Sequence, residues 1–384
     1  MTGPLSDLRI VEFSAQGPGP FTGGLLADFG ADVIRIDRPA EPLLPPRYDF
    51  YNRNKRSIAL NLKSPAGREA ALALVAAADV VIEGFRPGVM DKLGLGHDAC
   101  AAANPRIVYG SMTGWGQDGP MAMEAGHDIN YLALTGALDA IGYPDRPPAP
   151  PLNLVADLGG GGMYLAFGIL AAVHESRRSG QGQRVDAAMI DGVSHLMSAF
   201  IAFTQQGTWT DRRADNIVDG GSPDYGCYET ADGKHVAVGA MEPQFYAALL
   251  DVLGLDAADI PDRADRANWP ALKQLFAERF RQRTRAEWEA AMAGRDACFS
   301  PVLSIAEAWT HPQMQARGVH VPFDGLVHPA PAPRLSRTPG SLRRATPVPG
   351  ENGREICADW NLPQALRERL DSEGAMLQPA PAQG

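Results

Sequence analysis

The chain has 384 residues, 45% hydrophobic and 21% charged, with 35 Lys and Arg against 45 Asp and Glu for a net charge of −10. That is the composition of a globular protein able to bury a core, and at this length two domains are expected rather than one. The negative balance disfavours nucleic acid or an anionic membrane as main partner, so an anionic ligand must meet a local basic cluster. The most membrane-like run, "AALALVAAA" at 70–78, is far short of the roughly 20 residues a span needs. The opening "MTGPLSDLRIVEF" has no basic region followed by an apolar one, so no signal peptide is read. Cys100, Cys227, Cys298 and Cys357 are widely separated and no H-x-x-x-H occurs, so no metal is expected. Free thiols and a cytoplasmic location are the expectation.

In chain order, "LRIVEF" (8–13) reads as a strand, "SAQGPGPFTGG" as turn, "LLADFG" as helix and "ADVIRID" (31–37) as a second strand. A Ser-Pro start opens a helix over 64–78, followed by strands at 79–85 and 106–112. Alternation over 5–115 predicts an α/β fold with a parallel sheet. A proline-rich crossing at 144–153 precedes a helix over about 161–178 with Gly180 as its stop, then a short strand and an apolar helix. The character changes near 225, where a strand pair joined by "ADGK" leads into a helix, a pattern of smaller α+β units. From 320 the proline content predicts extended or irregular chain, and the final "MLQPAPAQG" predicts disorder. The expected organisation is a large domain over 1–200, a linker over 201–224, a small α+β domain over 225–315, and a return segment over 316–384.

"GPGPFTGG" after the first strand invites a dinucleotide reading, but the fingerprint G-x-G-x-x-G is one residue too long here. Pro18 and Pro20 also remove two N–H donors that a pyrophosphate would use. Arg38 is more informative, because it stands at the carboxyl end of a strand, where open sheets bind ligands. Arg53, Lys55, Arg56, Lys63, Arg86 and Lys92 fall at equivalent ends or in the following loops. Each alone reads as solvated surface; together they point to a phosphorylated small molecule. In "AGHDINYLALTG" (125–136) the residues allow two readings. One is a helix start, with His127 or Asp128 as cap and Tyr131, Leu132 and Leu134 as core; the other is an acid/base site.

Long blocks in one order then carry a resemblance: "GADVIRIDRP", "NRNKRSIALNLKS", "ADVVIEGFRPGVMDKLGLG", "MTGWGQDGP", "AGHDINYLALTGAL", "PLNLVADLGGGG", "GQRVDAAMIDG", "VAVGAMEPQFY" and "CFSPVLSIAEAWTHPQMQARG". Over about 4–345 the chain resembles the family III CoA-transferases and racemases, most closely the alpha-methylacyl-CoA racemase branch. The resemblance implies a Rossmann-like large domain, a smaller α+β domain, and an interlocked homodimer whose active site is shared between subunits. It implies an acyl-CoA substrate and no cofactor, whether metal, flavin, pyridoxal phosphate or nicotinamide. By matching position it assigns CoA binding to Arg38, to Leu60, Asn61, Leu62 and Lys63, to Gly84, Phe85 and Arg86, and to Gly126, Asp128, Ile129, Asn130 and Tyr131. Lys92 stands where arginine is usual, which keeps the charge and loses the fork.

The same resemblance assigns catalysis to His127, Asp157 and Glu242. The chemistry supports that choice, since inverting a carbon alpha to a thioester needs a base on each face of an enolate, each titrating near working pH. An imidazole starts there, and a carboxylate is raised by a dry site. His127 is expected to serve one face, balanced by Glu242 from the other subunit, and Asp157 the other. The glycines at 159–162 are expected to let backbone approach the thioester, with a helix start aimed at the oxyanion. Met112, Met163, Met189 and Met197 are candidate acyl-chain lining, and Asn153 and Tyr225 candidate contacts. The rival is a CoA-transferase of the family with Asp157 as nucleophile, through an acyl anhydride. Against it, those enzymes resemble one another in a glycine-run loop where this chain has "VGAMEPQ", and they lack the His of "AGHDIN".

Overall fold

The computed structural model describes residues 3–38 and 44–377. It divides into two compact units, one of Met1–Thr135, Leu152–Leu196 and Gly318–Gly384, the other of Gly136–Pro151 and Met197–Arg317.

The larger unit opens with β1 (Arg9–Phe13), α1 (Pro18–Asp28), β2 (Asp32–Asp37), β3 (Arg56–Leu60), α2 (Pro65–Ala76) and β4 (Val80–Glu83). It continues through α3 (Val89–Lys92), α4 (His97–Ala103), β5 (Val108–Thr113) and α5 (Asp128–Leu134). A π-helix (Leu154–Gly162) runs without a break into α6 (Met163–Ser179), followed by β6 (Gln183–Ala188) and α7 (Met189–Leu196). β1 to β5 are buried along nearly their whole length, as expected for a parallel sheet with helices on both faces, and β6 at the edge is exposed over its first half. Ser64 caps α2 by accepting from the Gly67 N–H at 3.0 Å, with Pro65 at the first helical position.

The smaller unit comprises α8 (Ser198–Gln206), β7 (Tyr225–Glu229), β8 (His235–Gly239), α9 (Pro243–Leu253), α10 (Trp269–Phe280), α11 (Arg285–Met292), β9 (Phe299–Pro301), α12 (Ile305–Thr310) and α13 (Pro312–Ala316). Its strands form one antiparallel sheet in the order β7-β8-β9. The core is aromatic, with Tyr228 stacked on Phe280 and Trp288 edge-on to the same ring.

The chain then rejoins the larger unit as β10 (His320–Phe323), β11 (Leu326–Pro329), α14 (Gly353–Asp359), α15 (Gln364–Ser372) and β12 (Met376–Leu377). β12 pairs antiparallel with β3, completing a sheet ordered β12-β3-β2-β1-β4-β5-β6 with every other pair parallel. Strand order reverses at β1, the position where doubly wound sheets open a crevice at their carboxyl ends.

Several expectations are corrected. α1 starts at Pro18, inside the segment read as turn, because a proline in the first helical turn lacks only an N–H that has no intrahelical partner anyway. β3 was not anticipated, since its charged flanks obscure "SIAL". The cations beside it are not surface: Lys55 pairs with Glu12 at 2.7 Å, Arg53 with Asp28 at 2.6 Å and Arg56 with Asp32 at 2.7 Å. Irregular chain was expected from 320, but only the proline-dense stretch between β11 and α14 lacks elements. α14 and α15 bury Ile356, Trp360, Leu366 and Leu370 in the core of the larger unit. In the expected disordered tail, Met376 and Leu377 form β12, and residues 378–384 lie outside the described ones. The expected linker begins inside α8. The stretch Leu154–Ser179 is long and apolar enough by length and composition to cross a bilayer, and it packs on β5 and β6 of the sheet.

Candidate active site

A cleft of ≈ 870 Å³ lies at the crevice of the larger unit. Its walls are Ser14–Pro18 after β1, Arg35, Asp37 and Arg38 at the end of β2, Gly84–Pro87 after β4, and Met112–Trp115 at the end of β5. Tyr51, Gly126, His127, Tyr131, Asn153, Asp157 and Met189 close it. Two titratable groups of opposite type, His127 and Asp157, thus open into one concavity.

Each is held by its element. His127 is the N-cap of α5, and its backbone N–H donates to Asn130 Oδ1 at 3.0 Å. The helix-start reading holds for His127 as cap and for Tyr131 and Leu132 as buried core, whereas Leu134 is 60% exposed; His127 also lines the cleft. Tyr131 packs edge-on to Trp115 and donates its hydroxyl to the Gly126 carbonyl at 2.6 Å. Gly126 has no room for a Cβ, which would sit 2.8 Å from the Tyr131 ring.

Asp157 sits in the π-helix, a wide turn that single-turn functional bulges often use. Its carboxylate accepts from Asn153 Nδ2 at 3.3 Å. Burial pushes the Asp157 carboxyl above its ordinary range, the Asp128 carboxylate adds to this, and the Asn153 hydrogen bond and His127 oppose it. Burial likewise raises the Tyr51 and Tyr131 hydroxyls, and the Asp157 carboxylate raises both further.

The expected glycine run does something other than admit a thioester. No helix starts there, because the π-helix begins at Leu154. A Cβ on Gly160 would sit 2.8 Å from Val193, and one on Gly162 would sit 2.6 Å from Phe21. The glycines let α7 and α1 press against the π-helix, and Thr22 Oγ1 donates to the Gly162 carbonyl at 2.8 Å. The helix starts that border the cleft are those of α1, at Gly17 and Pro18, and of α5, at His127.

Of the expected CoA contacts, Arg38, Gly84, Phe85, Arg86, Gly126 and Tyr131 line the cleft. Arg38 lies over the Phe85 ring at 5.2 Å. Leu60 is buried in β3, while Leu62, Asn61 and Lys63 follow that strand outside the cleft. Lys92 ends α3, and Ile129 and Asn130 are exposed and do not line the cleft. Asp128 turns inward, accepting from the Ala156 and Asp157 N–H groups at 2.9 and 2.8 Å. Of the candidate acyl lining and contacts, Met112, Met189 and Asn153 line the cleft; Met163 is exposed on α6, and Met197 and Tyr225 belong to the smaller unit. There Glu242 is the exposed N-cap of α9, before Pro243.

Sequence reasoning missed Tyr51, which stands edge-on to Phe21 in a short 3₁₀ turn that no periodicity marks. It also missed the Arg35–Asp37 pair at 2.8 Å, although alternation along β2 places both on one face. Among the described residues, no group of three or more His, Cys, Asp or Glu comes together as metal ligands, and all four cysteines are free thiols.

Residues 5–353 match the CoA-transferase family III model. The chain belongs to that family. It is 45% identical over 374 residues to the mouse (Mus musculus) protein named alpha-methylacyl-CoA racemase, covering 96% of each chain. It is 42% identical over 375 residues to the human (Homo sapiens) protein of the same name, again covering 96% of each. A solved CaiB/BaiF family protein from Brucella suis superposes with a TM-score of 0.81 at 30% identity, over 94% of this chain and 100% of that one.

Proposed function

We propose that this enzyme is an alpha-methylacyl-CoA racemase, interconverting (2R)- and (2S)-2-methylacyl-CoA thioesters without a cofactor. The observation that carries this reading is that His127 and Asp157 open into one cleft at the carboxyl edge of the sheet. The identities of 45% and 42% to proteins of that name support it.

One base takes the alpha proton, the C–H electron pair moves into the thioester to give a planar enolate, and the group on the opposite face returns a proton to carbon. Burial raises the Asp157 carboxyl above its ordinary range, which makes it a better proton acceptor than a solvated carboxylate. The enolate oxygen calls for a helix-start dipole, and the starts of α1 and α5 both border the cleft, through Gly17 and His127. Arg38 and Arg86, the cleft cations with no carboxylate partner among the described residues, hold the CoA phosphates.

The working form in this reading is a homodimer with a shared site, in which the partner subunit's Glu242 balances His127. Unpaired apolar surface supports a second copy. Phe167 on α6 is 74% exposed, and α8 has no buried residue although it reads "SAFIAFTQQ".

The test is incubation with one pure 2-methylacyl-CoA enantiomer in deuterated water, with no acceptor acid. Loss of optical activity with deuterium at the alpha carbon is the expected result. Turnover only after a free acid is added, with no alpha exchange, would refute it and favour CoA transfer through Asp157.

A further inference from the structure

We infer that Asp128 is a positioning residue of the reaction: its carboxylate, buried behind the cleft, holds the backbone that carries Asp157. The inference rests on the reading of Asp157 as a base. Asp128 is 7% exposed, and its Oδ2 accepts from the N–H of both Ala156 and Asp157. Those N–H groups lie in the first turn of the π-helix, where a helix has donors without acceptors. The residue that starts this helix, Asn153, gives no side-chain cap. Asp128 therefore caps the helix from another element, as a charged acceptor at a positive helix end.

The neighbour of Asp128 in the chain is His127. One dipeptide at the start of α5 thus fixes both proton-transfer groups, His127 directly and Asp157 through two hydrogen bonds. An enolate mechanism needs that separation held, because displacing a base by about 1 Å costs on the order of 10²-fold in rate.

Charge gives the role a second signature. The groups facing Asp157 are Asn153 on its own helix, His127, Asp128 and Tyr131 from α5, Tyr51 from the 3₁₀ turn, and Gly17 at the start of α1. Asp128 is the carboxylate among them, and it raises Asp157. Removing that charge while keeping an acceptor oxygen moves the Asp157 titration down.

The experiment measures racemisation in both directions against pH for Asp128→Asn and Asp128→Ala, with Asp157→Asn as control and circular dichroism to confirm folding. For Asp128→Ala, kcat falls on the order of 10²-fold with KM for the acyl-CoA within about threefold. Asp128→Asn recovers part of kcat, and the acid limb of kcat/KM in the direction that uses Asp157 as base moves to lower pH. If Asp128→Ala does not fold, the Asn variant carries the test. A raised KM with unchanged kcat, or an unmoved limb in the Asn variant, overturns the inference. Asp157→Asn racemising like wild type would instead overturn the reading of Asp157 itself.

Discussion

Lys55→Met is the sharpest probe of what holds the cleft floor in place. Lys55 Nζ is fully buried and donates to Glu12 Oε1 and Oε2 at 2.8 and 2.7 Å, to the Pro20 carbonyl at 2.8 Å and to Asn52 Oδ1 at 2.8 Å. It ties β1, α1 and the 3₁₀ turn beside Tyr51 into one unit. Burial pushes the Glu12 carboxyl up and the Lys55 amine down, and their mutual attraction opposes both. Methionine fills the volume and leaves Glu12 buried alone, which costs about 3–5 kcal/mol. For a unit of this size that lowers Tm by about 6–20 °C, at roughly 2–4 °C per kcal/mol. The loss must depend on pH with a fixed sign. An unpaired buried carboxyl has a raised folded-state pKa, so the deficit is small near the unfolded pKa of about 4.3 and grows as pH rises. Thermal melts at pH 5.5 and 8 check this, and Glu12→Gln added to Lys55→Met restores part of the loss at pH 8. A deficit below about 1 kcal/mol, or one larger at pH 5.5, would refute the buried-pair reasoning.

A Cβ at Gly192 on α7 would enter the backbone of Gly160 in the π-helix. Gly192→Ala therefore costs about 1–3 kcal/mol by overpacking and shifts the helix that carries Asp157, so kcat falls more than KM changes. Steady-state kinetics with a melt would show it; wild-type kcat would not fit. His328 stacks on Phe50 at 3.8 Å with Arg53 beside it, and burial, then Arg53, lower its pKa. A lowered histidine contributes stability that is lost as pH falls through its unfolded value of about 6.5. Wild type should lose more Tm than His328→Phe between pH 7.5 and 5.5, and equal losses would contradict this.

The alternation of strand and helix over the first 115 residues was legible because buried parallel strands are apolar runs punctuated by glycine and proline. "LRIVEF", "ADVIRID" and "DVVIEGF" needed no tertiary information. β3 was illegible because its arginine and lysine neighbours are buried through carboxylates from β1, β2 and α1, which lie 24 to 43 positions away along the chain. Sequence reads such residues as surface. The carboxyl-terminal helices hide for a related reason: α15 sends only Leu366 and Leu370 inward, and its polar remainder matches no apolar stripe. At the site, His127 stood out as a titratable group beside an apolar stretch, while Asp157 was singled out only by the family resemblance. The inward turn of Asp128 did not stand out, because a carboxylate beside a histidine at a helix start looks the same in sequence whether it faces ligand or backbone.

The central claim is that His127 and Asp157 serve opposite faces of one carbon. Alpha-proton exchange in deuterated water, run separately on each enantiomer with His127→Ala and Asp157→Asn, tests it most directly. The account predicts that both variants lose racemisation while each keeps exchange with one enantiomer, and that the retained enantiomers differ. Loss of exchange with the same enantiomer in both variants would place the two groups on one face and contradict it.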